Sequence, residues 1–212
     1  MMSEEAKMIL IGRDLSPFTR RVAISLALLG LPFERRQLST ATDAAEVRRY
    51  NPLGRVPALV LASGETLIDS AAILDHLDEK VGPERALIPA RGSERRLVLK
   101  LVALSLGVME KAVAAYYERT RRPPETRHLP WLNMLEDQVV SGLEAMESMA
   151  GEDSLWLALG RMTQADISAV CGLDFVATAL PDLLKEARLP KVSGLAARLS
   201  STPPFLSTKP KV

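Results

Sequence analysis

The spacing of apolar positions divides the chain into two parts. From Lys7 to Gly12 (KMILIG) they run almost without a break, the pattern of a short buried strand. From Phe18 they recur at Val22, Leu26 and Leu29, a helical stripe that Gly30 closes. Ser16 before Pro17 supplies the hydroxyl cap and first-turn proline with which helices begin. Pro32 to Leu38 (PFERRQL) predicts a second strand and Asp43 to Tyr50 a second helix. Ala58–Leu61 and Thr66–Ile68 read as two strands joined through Ala62-Ser63-Gly64-Glu65. Asp69-Ser70 then caps a helix with Ala72, Ile73 and Leu77 on one face and Gly82 at its end. The order is β-α-β-α-β-β-α. Strand–helix–strand units imply parallel pairing, and the closing hairpin adds an antiparallel edge.

After residue 82 the pattern changes. Residues 83–93 (PERALIPARGS) carry two prolines and a glycine and read as a linker. Beyond them the apolar spacing is helical only: Glu94–Thr120, broken by Arg121-Arg122-Pro123-Pro124, then Leu129–Ala150, Gln164–Leu180, Pro181–Ala187 and Lys191–Leu199. The proline-punctuated tail from Pro203 to Val212 is expected to peel away from the core. The expected organisation is an α/β domain over residues 7–82 followed by an all-α domain over residues 94–200.

Composition narrows the function. Lys plus Arg is 27 and Asp plus Glu 26, a net charge of +1. That balance gives no global electrostatic basis for a nucleic-acid or anionic-membrane partner. The acidic start MMSEEAK lacks the basic region of a signal peptide, and no run of 18 apolar residues exists. One cysteine, Cys171, allows no internal disulfide and no cysteine metal cluster, and it reads as a small buried apolar residue. A cytoplasmic setting without a metal is the expectation. His76 and His128 have no visible partners and read as surface or packing residues. The arginine pairs at 20–21, 35–36, 48–49, 95–96 and 121–122 read as solvated faces. Arg55 is set apart, because it adjoins Val56 and could meet a substrate carboxylate.

Three stretches could carry chemistry. In Arg13-Asp14-Leu15-Ser16-Pro17-Phe18 a hydroxyl sits at a strand-to-helix turn, where free N–H groups and the helix dipole favour an anion such as a thiolate. Ser16 serves equally as a plain cap. In Asn51-Pro-Leu-Gly-Arg-Val-Pro57 a cis Val56-Pro57 bond would turn the Val56 backbone outward to pair with an extended peptide. Asp69-Ser70 caps a helix, and its carboxylate and hydroxyl could also hold an ammonium and a carboxylate together.

In this order and spacing the three stretches resemble the glutathione S-transferase family, and the resemblance covers nearly the whole chain. It implies a thioredoxin-like N-terminal domain and an all-helical C-terminal domain. By that resemblance Ser16 handles the glutathione sulfur, the Val56 backbone before Pro57 pairs with the cysteinyl part, and Asp69-Ser70 holds the γ-glutamyl end. Met162-Thr163-Gln-Ala-Asp166 resembles the family's buried capping box, a folding element. The stretch from Pro190 to Phe205 resembles its terminal helix and proline stop, without the tryptophan often found there.

Ser16-Pro-Phe-Thr19 resembles the bacterial and omega-like Cys-Pro-Phe pattern with serine in place of the cysteine. A serine forms no mixed disulfide, so thiol transfer and dehydroascorbate reduction are not expected. The resemblance instead implies an enzyme that conjugates glutathione, a co-substrate held as thiolate, to a small hydrophobic electrophile. It also implies a homodimer. Zeta-like members with a serine catalyse glutathione-dependent isomerisation, and other relatives are non-catalytic interaction proteins; both stand as alternatives. Met109, Val113, Tyr116 and Tyr117 lie where the family borders its electrophile pocket, but their helical spacing suits ordinary core equally.

Overall fold

A computed structural model describes residues 7–151, 155–185 and 187–210. The chain forms two compact units: Met1–Leu87 with Pro203–Lys209, and Ile88–Thr202 with Pro210–Val212.

The first unit is built on a four-stranded sheet of order β2-β1-β3-β4. Its strands are β1 (Met8–Ile11), β2 (Phe33–Arg36), β3 (Ala58–Val60) and β4 (Thr66–Ile68), and its main helices are α1 (Pro17–Leu28), α2 (Ala44–Tyr50) and α3 (Ser70–Val81). Strands β1 and β2 pair in parallel, with Met8 opposite Phe33 and Ile11 opposite Arg36. The connection through α2 differs from the expectation of parallel pairing. Strand β3 returns antiparallel to β1, with Ile11 opposite Ala58, and β4 pairs antiparallel to β3. The three-residue β3 follows the sharp Asn51–Pro57 loop, which reverses the chain before the strand begins.

Strand alternation sorts the core into two layers. Ile11 and Ala58 pack with Leu38 and Val47 of the α2 side, flanked by Ile9, Tyr50, Val56 and Val60. Leu10 and Leu59, both fully buried, face the opposite side, which α1 and α3 cover with Val22, Leu26, Ile73 and Leu77.

Close approach at the end of β1 depends on Gly12. It lies at φ 126°, in the region that favours glycine, and a Cβ there would meet Thr19 Oγ1 at 2.5 Å and Val56 Cβ at 2.9 Å. The first turn of α1 and the loop before Pro57 therefore share space that only a missing side chain leaves open.

Two expectations about the first unit are corrected. Arg20 and Arg21 are not a solvated face: each is 1% exposed. Nor does the tail peel away. A short helix α8 (Pro203–Leu206, numbered after the helices of the second unit below) buries Phe205 against α1. Arg20 Nε donates to Thr208 O at 2.9 Å and Nη2 to Phe205 O at 3.4 Å, and the guanidinium stands 5.9 Å from the centre of the Phe205 ring. The residues of the tail beyond Pro210 lie outside the described range.

The second unit is helical: α4 (Gly92–Arg121), α5 (Leu129–Met149), α6 (Gln164–Ala179) and α7 (Pro190–Ser200). A 3-10 turn, Pro181–Leu184, stands where a further helix over Pro181–Ala187 was expected. Helix α4 is the spine against which α5 and α6 pack. Gly142 of α5 admits Val108 of α4, whose Cγ2 would lie 2.5 Å from a Cβ at that position. Helix α6 is buried almost throughout, and its start is fixed by the expected capping box. The fully buried Asp166 accepts from Thr163 N, Thr163 Oγ1 and Leu157 N, each at 2.8 Å. Burial pushes its carboxyl up from the usual range, against the pull of those hydrogen bonds. Met109 belongs to this core, fully buried, whereas Tyr116 and Tyr117 are half-buried. Tyr116 stacks edge-on against Phe175, and Arg121 lies over the Tyr117 ring.

Phe205→Ala should lower the unfolding free energy by roughly 3–5 kcal/mol, the range for emptying a buried aromatic site. Urea denaturation is the measurement, and a change under about 0.5 kcal/mol, typical of surface positions, would show a tail that does not pack. Gly12→Ala should cost about 1–3 kcal/mol through overpacking, with more from its positive φ. Unchanged stability in the same assay would mean that α1 and the Val56 loop do not converge on Gly12.

Candidate glutathione site

Each chemical group singled out in the sequence sits at the end of a regular element of the first unit. Ser16 is the cap of α1, with extended backbone, and its Oγ accepts from Thr19 N at 3.3 Å. Because the oxygen is occupied as an acceptor, the hydroxyl proton is available to a ligand anion. Ser16 is half-buried, and Pro17 occupies the first helical position as the sequence predicts. Thr19 is fully buried, and its Oγ1 has no hydrogen-bond partner among the described residues.

The Val56-Pro57 peptide is cis. Among the described residues neither the N–H nor the C=O of Val56 makes a hydrogen bond. A backbone donor and acceptor left unpaired beside a sheet can take an extended peptide as an added strand. The loop that presents them is held by buried Asn51, whose Oδ1 accepts from Leu53 N at 3.0 Å and whose carbonyl accepts from Gly54 N at 2.8 Å.

Asp69 caps α3, its Oδ1 accepting from Ala71 N at 2.9 Å. It is the one non-glycine residue at positive φ among the described residues (φ 67°, ψ 135°). Ser70 follows at the first position of the helix and is 1% exposed; its Oγ accepts from Arg21 Nε at 3.2 Å. Both serine hydroxyls are thus fixed by a protein N–H with their protons left over. Helix N-termini lie beside both. The arrangement offers two O–H donors to anionic groups and a carboxylate to a cation.

A small groove, partly open to solvent, joins most of these residues. Val56, Pro57, Asp69 and Ser70 line it together with Phe18 and Arg55. Ser16 itself is not among the lining residues; Phe18, two positions along α1, is the contact from that helix. Arg55 is exposed and reaches the groove, consistent with setting it apart from the other arginines. The residues that sequence reading passed over are Gly12, Asn51, Leu53 and Arg21. Gly12 and Asn51 carried a signal, a glycine closing a strand and an Asn-Pro turn. Arg21 carried none that separates it from other arginine pairs.

The histidines stay outside this site. His128 caps α5, its Nδ1 accepting from Trp131 N at 3.2 Å, while its own N–H donates to the buried Glu118 at 3.0 Å. No group of three or more His, Cys, Asp or Glu among the described residues is placed to hold a metal, and no described helix is long and apolar enough to cross a membrane.

Known proteins are similar to this chain in both sequence and fold. The family model for the glutathione S-transferase N-terminal domain matches residues 10–85, which span all three stretches. A maleylacetoacetate isomerase of Pseudomonas aeruginosa is 33% identical over 158 residues, covering 71% of this chain and 72% of the relative. A glutathione S-transferase of Methylobacterium radiotolerans, solved in complex with glutathione sulfonate, is 30% identical with a TM-score of 0.90, covering 97% of this chain and 96% of its own. A glutathione transferase family member from Pseudomonas fluorescens, solved with bound glutathione, is 32% identical with a TM-score of 0.84, covering 97% of this chain and all of its own. The thioredoxin-like unit, the helical unit and these similarities agree: the chain belongs to the glutathione S-transferase family of enzymes.

Proposed function

We propose that the protein conjugates glutathione to a small hydrophobic electrophile, with Ser16 holding the glutathione sulfur as thiolate. The observation that carries this reading is the Ser16 hydroxyl, engaged as an acceptor by Thr19 N and so free to donate. The unpaired Val56 backbone supports pairing with the cysteinyl part. Asp69 and Ser70 support capture of the γ-glutamyl ammonium and carboxylate. In the reaction the thiolate sulfur forms a bond to the electrophilic carbon, and the leaving group departs with the displaced electron pair. The enzyme supplies position and charge stabilisation and forms no covalent intermediate.

Similarity to a maleylacetoacetate isomerase favours a second reading, glutathione-dependent isomerisation. There the same thiolate adds to a double bond and leaves again after rotation. A panel of aromatic and vinylic electrophiles assayed beside a cis-dicarbonyl alkene separates the two: net consumption of glutathione marks conjugation, and turnover without consumption marks isomerisation.

The two-fold homodimer, the commonest closed assembly, completes the reading. Light scattering at micromolar concentration should give twice the chain mass of 23.1 kDa, and the monomer mass would exclude it.

The Ser16 role has a distinctive pH signature. A free thiol has a pKa near 8.5. Lowering it by about two units in the site corresponds to roughly 2.7 kcal/mol. The value is depressed, so the excess of thiolate over a free thiol is large below about pH 8.5 and disappears above it, where both are ionised. Ser16→Ala should therefore reduce conjugation about fifty-fold at pH 6.5 and leave it near parity at pH 9. Glutathione affinity, measured by calorimetry at pH 6.5, should change only about twofold. A wild-type pH–rate profile in the variant would leave Ser16 as a helix cap alone.

A further inference from the structure

Arg21 is a buried cation that reaches one of the hydroxyls lining the groove. Its guanidinium is carried on α1 into the interior, where only 1% of the residue is exposed, and its Nε donates to Ser70 Oγ at 3.2 Å. Arg20, its neighbour, is turned instead to the tail carbonyls of Phe205 and Thr208. Ser70 lines the groove and Arg21 does not, so Ser70 is the group through which Arg21 reaches a ligand.

The direction of that hydrogen bond matters. Guanidinium has donors only, so the Ser70 oxygen must be the acceptor, and its one proton must point elsewhere. A charged donor also polarises the hydroxyl it binds and makes the outgoing O–H a stronger donor. Ser70 is therefore fixed as a donor toward the groove, with a cation directly behind it. That is a specification for a carboxylate.

We propose that Arg21 is a positioning residue that acts through Ser70 to set the affinity for the carboxylate of a bound γ-glutamyl group. The inference rests on the reading of the groove as a glutathione site and adds to it which buried charge makes Ser70 selective. Arg21 touches neither the sulfur nor the electrophile, so its loss weakens binding and spares the chemical step.

The test compares glutathione with cysteinylglycine, a thiol that lacks the γ-glutamyl group, on wild type, Arg21→Met and Arg21→Lys. Arg21→Met should raise KM for glutathione about tenfold while kcat at saturation stays within about twofold. KM for cysteinylglycine should not change. Arg21→Lys, which keeps the charge, should recover part of the loss, and it carries the comparison if the methionine variant does not fold. In a Ser70→Ala background either Arg21 substitution should have no further effect on KM. Variants with wild-type KM for glutathione, equal losses for both thiols, or an undiminished loss in the Ser70→Ala background would each overturn the proposal. Wild-type protein that binds glutathione in calorimetry while the variants are unaffected overturns this inference alone; wild-type protein that binds neither thiol overturns the functional reading and this inference with it.

Discussion

Two guanidinium groups, brought inside by consecutive residues of one helix, set the frame of the N-terminal unit. Burying a cation costs several kcal/mol unless its donors are met by well-placed oxygens. Helical geometry turns adjacent side chains about 100° apart, and Arg20 and Arg21 reach in different directions. Arg20 finds carbonyls of the C-terminal tail, and Arg21 finds the hydroxyl at the start of α3. The tail thereby becomes part of the core of a unit that ends, by contiguous sequence, more than a hundred residues earlier. Helix α1 is held from two directions, and its N-terminus, where Ser16 stands, is held with it.

This explains what could be read from the sequence and what could not. Short-range signals survived intact. Ser16 before Pro17, Asp69 before Ser70, and Thr163 with Asp166 all cap helices where expected, because a cap is decided by residues three or four positions apart. The cis Val56-Pro57 bond and the hairpin of β3 and β4 are equally local. The antiparallel return of β3, the burial of Arg20 and Arg21, and the docking of Phe205 are set by partners far along the chain. An arginine pair reads as a solvated face because most such pairs are. Nothing near Arg20 announces that carbonyls 185 and 188 residues later will satisfy it. The candidate site was legible as a set of positions, whereas the groups that orient those positions were not.

The second unit shows the same division. Its helices follow the apolar period, and three hydrogen bonds from nearby residues offset part of the desolvation of buried Asp166. Pro181 starts only a 3-10 turn, since the residues that follow lack an apolar stripe to bury. Tyr116 and Tyr117, ambiguous by spacing, divide by environment. One packs on Phe175 and the other lies beneath Arg121, beside a surface groove shared with Glu118 and Arg122.

The backbone of Asp69 separates the needs of folding from those of binding. At φ 67° and ψ 135° it lies outside the small left-handed well that aspartate tolerates, in territory that glycine enters freely. Such a conformation costs about 1–3 kcal/mol for a residue with a side chain. Its one internal return is the cap on Ala71 N, a hydrogen bond of about 1 kcal/mol, and glycine at an N-cap forfeits only a few tenths. Stability alone therefore favours glycine at this position. An exposed carboxylate kept there at net expense, one residue before the hydroxyl that accepts from Arg21, fits the proposed capture of a ligand ammonium beside its carboxylate. Under that proposal the strain fixes where the negative group stands, and the buried cation fixes which way the neighbouring proton points.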